Sequence, residues 1–336
     1  MRKDQTSNTI YDNHGRPITY VRLSVTDRCN LRCFYCMPEK GMKFLHKKEL
    51  LTYEEMERLV NILVQLGITK VRITGGEPFV RKDLIKFLTN LRKILGTKEL
   101  HITTNGVLTN SHVKNLHQLG VSSINLSLDT LDRQRFKELT RRDEFDRVME
   151  TFYSLLEYNI PTKVNAVVIE GKNDQDIIPM AELARVHPVS VRFIEEMPFN
   201  GDGAKYQSLT WNHRKILDTL KVRYPEIKKL TDKPNATATE YEIPDFRGNI
   251  GIIAAYSRTF CGTCNRIRIT SQGVLQTCLY DGGVFNIKNY IRSGVGDDEI
   301  KNMFKKAFGQ RAKDGFEAEK KRQISAIHES MSVIGG

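Results

Sequence analysis

The chain has 336 residues, enough for one long domain or two ordinary ones, and its 40% hydrophobic and 27% charged composition excludes disordered and fibrous classes. No apolar run approaches the roughly 18 residues of a membrane span, and "MRKDQTSNTIYDNHGRPITY" has no apolar stretch of the secretory type, so a cytoplasmic chain with reduced thiols is expected. The net charge of +12, from 52 basic and 40 acidic side chains, calls for an acidic partner: nucleic acid, a membrane surface or a phosphorylated small molecule.

In chain order, "ITYVRLSVT" (18–26) reads as a strand, and "DRCNLRCFYC" (27–36) puts Cys29, Cys33 and Cys36 just beyond it. "LTYEEMERLVNILVQLG" (51–67) reads as a helix. Thr52 and Glu55 form its capping box, Met56, Leu59, Val60 and Leu63 its apolar stripe, and Gly67 its end. "KVRIT" (70–74) is the next strand, followed by "TGGEP" and a helix over 82–95. "ELHITT", "SSINLSLD", "TKVNAVVI" and "SVRFIEE" are further strands, separated by helical segments near 110–119, 132–158 and 174–186. This alternation predicts βαβ crossovers and an α/β fold, an incomplete (βα)6 TIM-type barrel with chemistry at the strands' C-terminal ends.

The pattern changes after about residue 225. "KLTDKPNATATEYEIPDFRGN" is polar with two prolines and reads as a connection into a C-terminal α+β module that closes the barrel mouth. The predicted domains are therefore 1–225 and 226–336. The second holds strand-like runs at 250–257 and 265–270 and helical runs at 285–293 and 297–309.

The six cysteines form two triplets, Cys29-x3-Cys33-x2-Cys36 and Cys261-x2-Cys264-x13-Cys278. Structural zinc takes four ligands, and neither triplet supplies a fourth cysteine. His46 lies beyond the first triplet and no histidine closely follows the second. An iron–sulfur cube on three thiolates leaves one iron open to a non-protein ligand, which suits such an incomplete set. Zinc completed by histidine, or free thiols, is the alternative.

Arg22, Arg72, Lys163 and Arg192 each sit in or beside an apolar strand run, and Arg266 and Arg268 alternate just after Cys264. Barrel strands alternate between lumen and helix faces, so these charges are expected to face the lumen. Converging guanidiniums match a triphosphate. The competing reading pairs them with Glu77, Asp129 or Glu195, or leaves them at solvated strand ends. No lysine-rich helix with interleaved aromatics stands out, which disfavours nucleic acid.

"CNLRCFYC", with Tyr35 before its last cysteine, together with "TGGEP" (74–78), resembles the radical S-adenosylmethionine (SAM) enzymes. "GRPI" at 15, "TTNG", "NLSLD", "KVNAVV", "RFIEEMPF", "CGTCNRIRIT", Cys278 and a terminal "IGG" are similar to the branch of that family that cyclises GTP in molybdenum-cofactor biosynthesis. The resemblance implies a [4Fe–4S] cluster on Cys29, Cys33 and Cys36 whose open iron chelates SAM, with Tyr35, Gly76, Ser127 and Met197 contacting SAM. It implies a second [4Fe–4S] cluster on Cys261, Cys264 and Cys278 whose open iron binds the guanine edge. GTP would be held by Arg22, Arg72, Thr103, Lys163, Arg192, Arg266 and Arg268; Arg266, Arg268, Gly335 and Gly336 would serve catalysis.

The implied activity is radical conversion of GTP to (8S)-3′,8-cyclo-7,8-dihydroguanosine 5′-triphosphate. A 5′-deoxyadenosyl radical takes hydrogen from the 3′ carbon, and the sugar radical attacks C8. The implied partners are an external one-electron donor of flavodoxin or ferredoxin type and the succeeding cyclic pyranopterin monophosphate synthase (MoaC). No nucleic-acid or membrane partner is expected, and a homodimer is compatible. Two other readings are a radical SAM peptide-modifying enzyme with an auxiliary cluster and a zinc- or cluster-bearing RNA-binding regulator. The roles of loop 200–207 and of Val333 stay open.

Overall fold

A computed structural model describes residues 9–38, 41–197, 209–322 and 331–334. The strands are β1 (Tyr20–Ser24), β2 (Lys70–Thr74), β3 (Glu99–Thr104), β4 (Ser123–Ser127), β5 (Thr162–Val168), β6 (Ser190–Glu195), β7 (Lys228–Lys229), β8 (Thr239–Glu242), β9 (Asn249–Ile253), β10 (Arg266–Ile269), β11 (Val274–Gln276) and β12 (Phe285–Asn286). Helices α1 (Tyr53–Gln65), α2 (Leu84–Leu95), α3 (Val113–Gln118), α4 (Arg133–Thr140), α5 (Phe145–Glu157) and α6 (Ile177–Val186) fall between the first six strands. The Thr52 capping box forms as the sequence requires, with the Thr52 hydroxyl accepting from Glu55 N and the Glu55 carboxylate from Thr52 N.

All of the strands join one sheet in the order β12-β11-β10-β1-β2-β3-β4-β5-β6-β9-β8-β7. The six βα units build its middle as parallel neighbours, as an incomplete TIM-type barrel requires. Chain beyond residue 225 lengthens it at both edges. β10 lies parallel to β1 and β9 parallel to β6, while the strands outside them run antiparallel. The outer face carries Val21, Leu23, Val71, Ile73, Ile124, Leu126, Val191 and Phe193, all buried. Helices cover it, so each strand alternates an apolar outward set with a polar inward one.

Two segments differ from the sequence reading. The helix expected over 132–158 is two, α4 and α5, because Arg141 turns into the left-handed region at φ 55° and ends α4. The polar connection after residue 225 contributes β7 and β8, with Thr239–Glu242 extended along β9 at the sheet edge, where unpaired backbone must find a ladder.

Candidate active site

The first thiol triplet sits in the loop that leaves β1. Its shape comes from three neighbours. The end of α4 leaves carbonyls without helical partners, and those of Thr140 and Leu139 accept from Arg32 N (2.9 Å) and Phe34 N (3.1 Å). The turn after β2 clips the same loop through Gly76 N to Thr26 O and Glu77 N to Arg28 O, both 2.8 Å. A Cβ on Gly76 would stand 2.4 Å from Arg28 O, so only glycine permits that approach. Glu77 is extended (φ −127°, ψ 116°), as Pro78 after it demands. The third neighbour is "TTNG" after β3, whose Asn105 Nδ2 donates to Asn30 Oδ1 (2.8 Å) and lies 3.6 Å from Cys29 Sγ.

Glu77 holds this assembly together. Its buried carboxylate accepts from Phe79 N, Thr104 Oγ1 and Asn105 N at 3.1, 2.9 and 2.7 Å. Burial pushes its pKa up to about 7 in spite of those bonds. Tyr35 donates its hydroxyl to Asp129 Oδ2 (2.7 Å), and Asp129 Oδ1 accepts from Val167 N. Burial raises Asp129 to about 6. Ser127, the last residue of β4, pairs with Asn165 on β5. Met197, beyond β6, packs instead with Tyr280, Ala318 and Ile334 near Cys278.

The second triplet lies elsewhere. Cys264 precedes β10, and Asn265 O accepts from Tyr20 N at the start of β1. Cys278 follows β11, which runs antiparallel to β10 and so returns to the same end. The first triplet follows the other end of β1. β1 runs between the two ends, five residues at about 3.3 Å each, or roughly 17 Å of strand. Chemistry at the strands' C-terminal ends thus describes the first triplet only, because β10 enters the sheet directly after Cys264.

Between the two ends lies the inner face. Register places Arg268, Arg22 and Arg72 side by side, with Arg266, Tyr20 and Lys70 one step away. Thr103 neighbours Asn125, Asn125 neighbours Lys163, and Asn165 neighbours Arg192. Every residue expected to hold a triphosphate therefore shares this face. Lys70 joins them, overlooked because it heads its strand.

The carboxylates suggested as ordinary partners are engaged elsewhere. Glu77 and Asp129 are satisfied as above, and buried Glu195 accepts from His213 N, Ser257 N and Ser257 Oγ. Arg192 does find a partner, Glu240 Oε1 at 2.6 Å. Arg72 Nε donates to Tyr20 Oη (2.7 Å).

This crowding perturbs each group. Burial, then Arg192, Arg72 and Lys70, take Lys163 down to about 8. Burial and Arg266 bring Arg268 to about 10. Burial would raise the Tyr20 phenol, but the charges of Arg72, Arg22 and Arg266 and the Arg72 bond draw it down to about 7. Mutually repelling, mostly half-buried cations fit a polyanion. His101, also inward, is pushed down to about 3 by burial, Arg72 and Lys70, so it is a neutral group bonded to Ser123 and Glu99.

Cluster ligation would require ionising these thiols against their burial. Burial, then Glu77, hold Cys29 near 12, and burial holds Cys278 near 12, so neither thiol ionises readily without a cation beside it. Among the described residues no three His, Cys, Asp or Glu side chains close on a point as a single metal ion needs. Gly335 and Gly336 lie outside the described residues, as does loop 200–207. No helix among the described residues is long and apolar enough to cross a membrane.

A model of the radical SAM superfamily matches residues 23–184, and one described as Molybdenum Cofactor Synthesis C matches residues 189–316. The solved structure of Streptococcus suis SuiB aligns with a TM-score of 0.61 at 15% identity, covering 90% of this chain and 72% of that one, a likeness of fold. Barrel, cysteine loop and glycine turn thus define a radical SAM protein. A GTP 3′,8-cyclase of Clostridium perfringens (strain 13 / Type A) is 39% identical over 330 residues, 97% of this chain and 99% of that protein. Molybdenum cofactor biosynthesis protein 1 of Bos taurus is 39% identical over 303 residues, 90% of this chain but 48% of that protein. The chain spans about half the length of such relatives. It belongs to the GTP 3′,8-cyclase family.

Proposed function

We propose that the chain is a radical SAM GTP 3′,8-cyclase acting in the first step of molybdenum-cofactor biosynthesis. The observation that carries this reading is the pair of thiol triplets at opposite ends of one cation-lined barrel face. Cys29, Cys33 and Cys36 would hold a [4Fe–4S] cluster and Cys261, Cys264 and Cys278 a second. When bound, the first cluster and SAM would supply a 5′-deoxyadenosyl radical, the C5′–S bond of SAM breaking and methionine leaving, in exchange for one electron from an external flavodoxin- or ferredoxin-type donor. Tyr35, Gly76 and Ser127 border the SAM end. Met197 packs beside the second module, with Tyr280, Ala318 and Ile334.

Arg22, Lys70, Arg72, Lys163, Arg192, Arg266 and Arg268 orient the triphosphate, and Thr103 faces the nucleoside. A strand of roughly 17 Å between the two ends suits one extended nucleoside triphosphate along the inner face. The proposed division is a barrel domain to residue 225 and an auxiliary-cluster module beyond it. Gly335 and Gly336 are proposed to reach the pocket, and MoaC to consume the product. The test is anaerobic reconstitution with SAM, a strong reductant and each of the four ribonucleoside triphosphates. GTP should give 5′-deoxyadenosine and a cyclised nucleotide. Background 5′-deoxyadenosine with GTP would refute the reading.

A further inference from the structure

Three buried charged residues surround the second triplet from parts of the chain that no motif joins. Asp12 and Arg16 belong to the N-terminal turn, and Arg311 follows the helix Asp297–Phe308. The Asp12 carboxylate accepts from His14 N (2.9 Å), Arg16 N (2.9 Å), Arg16 Nε (2.7 Å) and Arg311 Nη1 (3.0 Å). Its side chain is 0% exposed, and those of Arg16 and Arg311 are 7% and 3% exposed. Asn13 Nδ2 and His14 Nε2 both meet Arg311 O, which ties the turn to the same place.

With one carboxylate oriented between them, the guanidiniums spend their remaining donors on backbone carbonyls. Arg16 Nη1 reaches Cys261 O at 3.0 Å. Arg311 reaches Cys264 O at 3.1 Å and Thr277 O, next to Cys278, at 3.0 Å. Each leg of the triplet is therefore held at its own peptide. Arg311 Nη2 also lies 3.7 Å from Cys264 Sγ. Two guanidiniums around one carboxylate leave one positive charge in excess, and a buried charge needs a counter-charge. Thiolates around iron supply it, and outer groups of this kind orient metal ligands and set the metal's potential.

We propose that Asp12, Arg16 and Arg311 are positioning residues for the second iron site, fixing the peptides of its three cysteines and donating a hydrogen bond to Cys264. The proposal rests on the two-cluster reading above. Its test uses the full chain, anaerobically reconstituted, with Arg311→Met, Arg311→Lys and Asp12→Asn. The readouts are each centre's midpoint potential by spectroscopically monitored redox titration, and iron retention against a chelator. The first centre serves as internal reference.

Arg311→Met should shift the second centre to a more negative potential and weaken its iron retention about 10- to 100-fold, leaving the first centre unmoved. Arg311→Lys, which keeps the charge without the fork, should fall between. Unchanged potential and retention at the second centre in Arg311→Met would overturn the proposal. Where that variant does not fold, near-isosteric Asp12→Asn should likewise weaken iron retention at the second centre but, because it removes the negative charge between two guanidiniums, should move its potential to a more positive value; parental values of both would overturn the proposal equally. If the parent chain itself carries no iron on Cys261, Cys264 and Cys278, the proposal falls together with the two-cluster reading; a loaded parent with indifferent variants removes the proposal alone.

Discussion

Replacing Gly76 by alanine tests whether the turn after β2 shapes the first cysteine loop. The new Cβ would meet Arg28 O at 2.4 Å, Arg28 C at 2.6 Å and Asp27 O at 2.9 Å, all backbone atoms that no rotamer change can move. Ordinary contact begins at 3.4 Å, so the two segments must part by up to 1.0 Å. Overpacking of this kind costs about 1–3 kcal/mol. The separation also stretches the bonds from Gly76 N to Thr26 O and from Glu77 N to Arg28 O, each worth about 1 kcal/mol. A loss of about 3 kcal/mol should lower the Tm of a chain this long by about 5 °C.

The larger effect should be functional, because Arg28 adjoins Cys29 and a 1 Å displacement at a reacting centre can cost about 100-fold in rate. SAM cleavage by the reconstituted protein, followed as 5′-deoxyadenosine, should fall by that order while GTP binding changes little. Gly282→Ala is the control, since its Cβ would meet nothing nearer than Arg322 Cγ at 3.7 Å. If Gly76→Ala kept parental iron content, melting and SAM cleavage, the argument from close approach would be wrong.

Three further outcomes are expected. GTP affinity should decline as pH rises through about 8, because Lys163 is depressed to that value by burial and its cationic neighbours and loses the charge a triphosphate needs; calorimetry should find proton uptake there, absent in Lys163→Arg. In the iron-free chain one tyrosine should ionise near pH 7 by absorbance, and Tyr20→Phe should abolish that step. Because the folded phenol ionises near 7 and the unfolded one near 10, unfolding takes up a proton between them. That contribution to stability is complete above about 10 and lost as pH falls through 7. Glu77→Gln should turn an amide N–H₂ toward a buried backbone donor, at a cost of about 1–3 kcal/mol, with visible loss of iron from the first triplet; a parental melting curve and iron count would contradict the role given to this carboxylate.

Much of the molecule was legible locally. A period of two along each strand puts Arg22, Arg72, Lys163 and Arg192 opposite their apolar neighbours, and the inner face carries them all. Capping chemistry marked α1 to within a few residues. The break at Arg141 was not legible, since "LTRRDEF" holds neither glycine nor proline. What α4 gains by ending there is tertiary, two carbonyls offered to the cysteine loop. Glu77 could have been suspected as a carboxylate in a glycine turn, but its donors come from residues 79, 104 and 105, and only folding gathers them.

The sequence by itself determined the parts whose signal is local: the βα alternation and the inward parity of the cations, read from periods of two to four residues, and the thiol spacings within each triplet. Only the tertiary structure decided where those parts meet. It set β10 beside β1, which sends the second triplet to the opposite end of the barrel from the first. It also brought Asp12 and Arg16 to Arg311, across about three hundred residues. Such contacts depend on which strand edges remain unpaired and which buried charges still lack a partner, and both are properties of the whole fold.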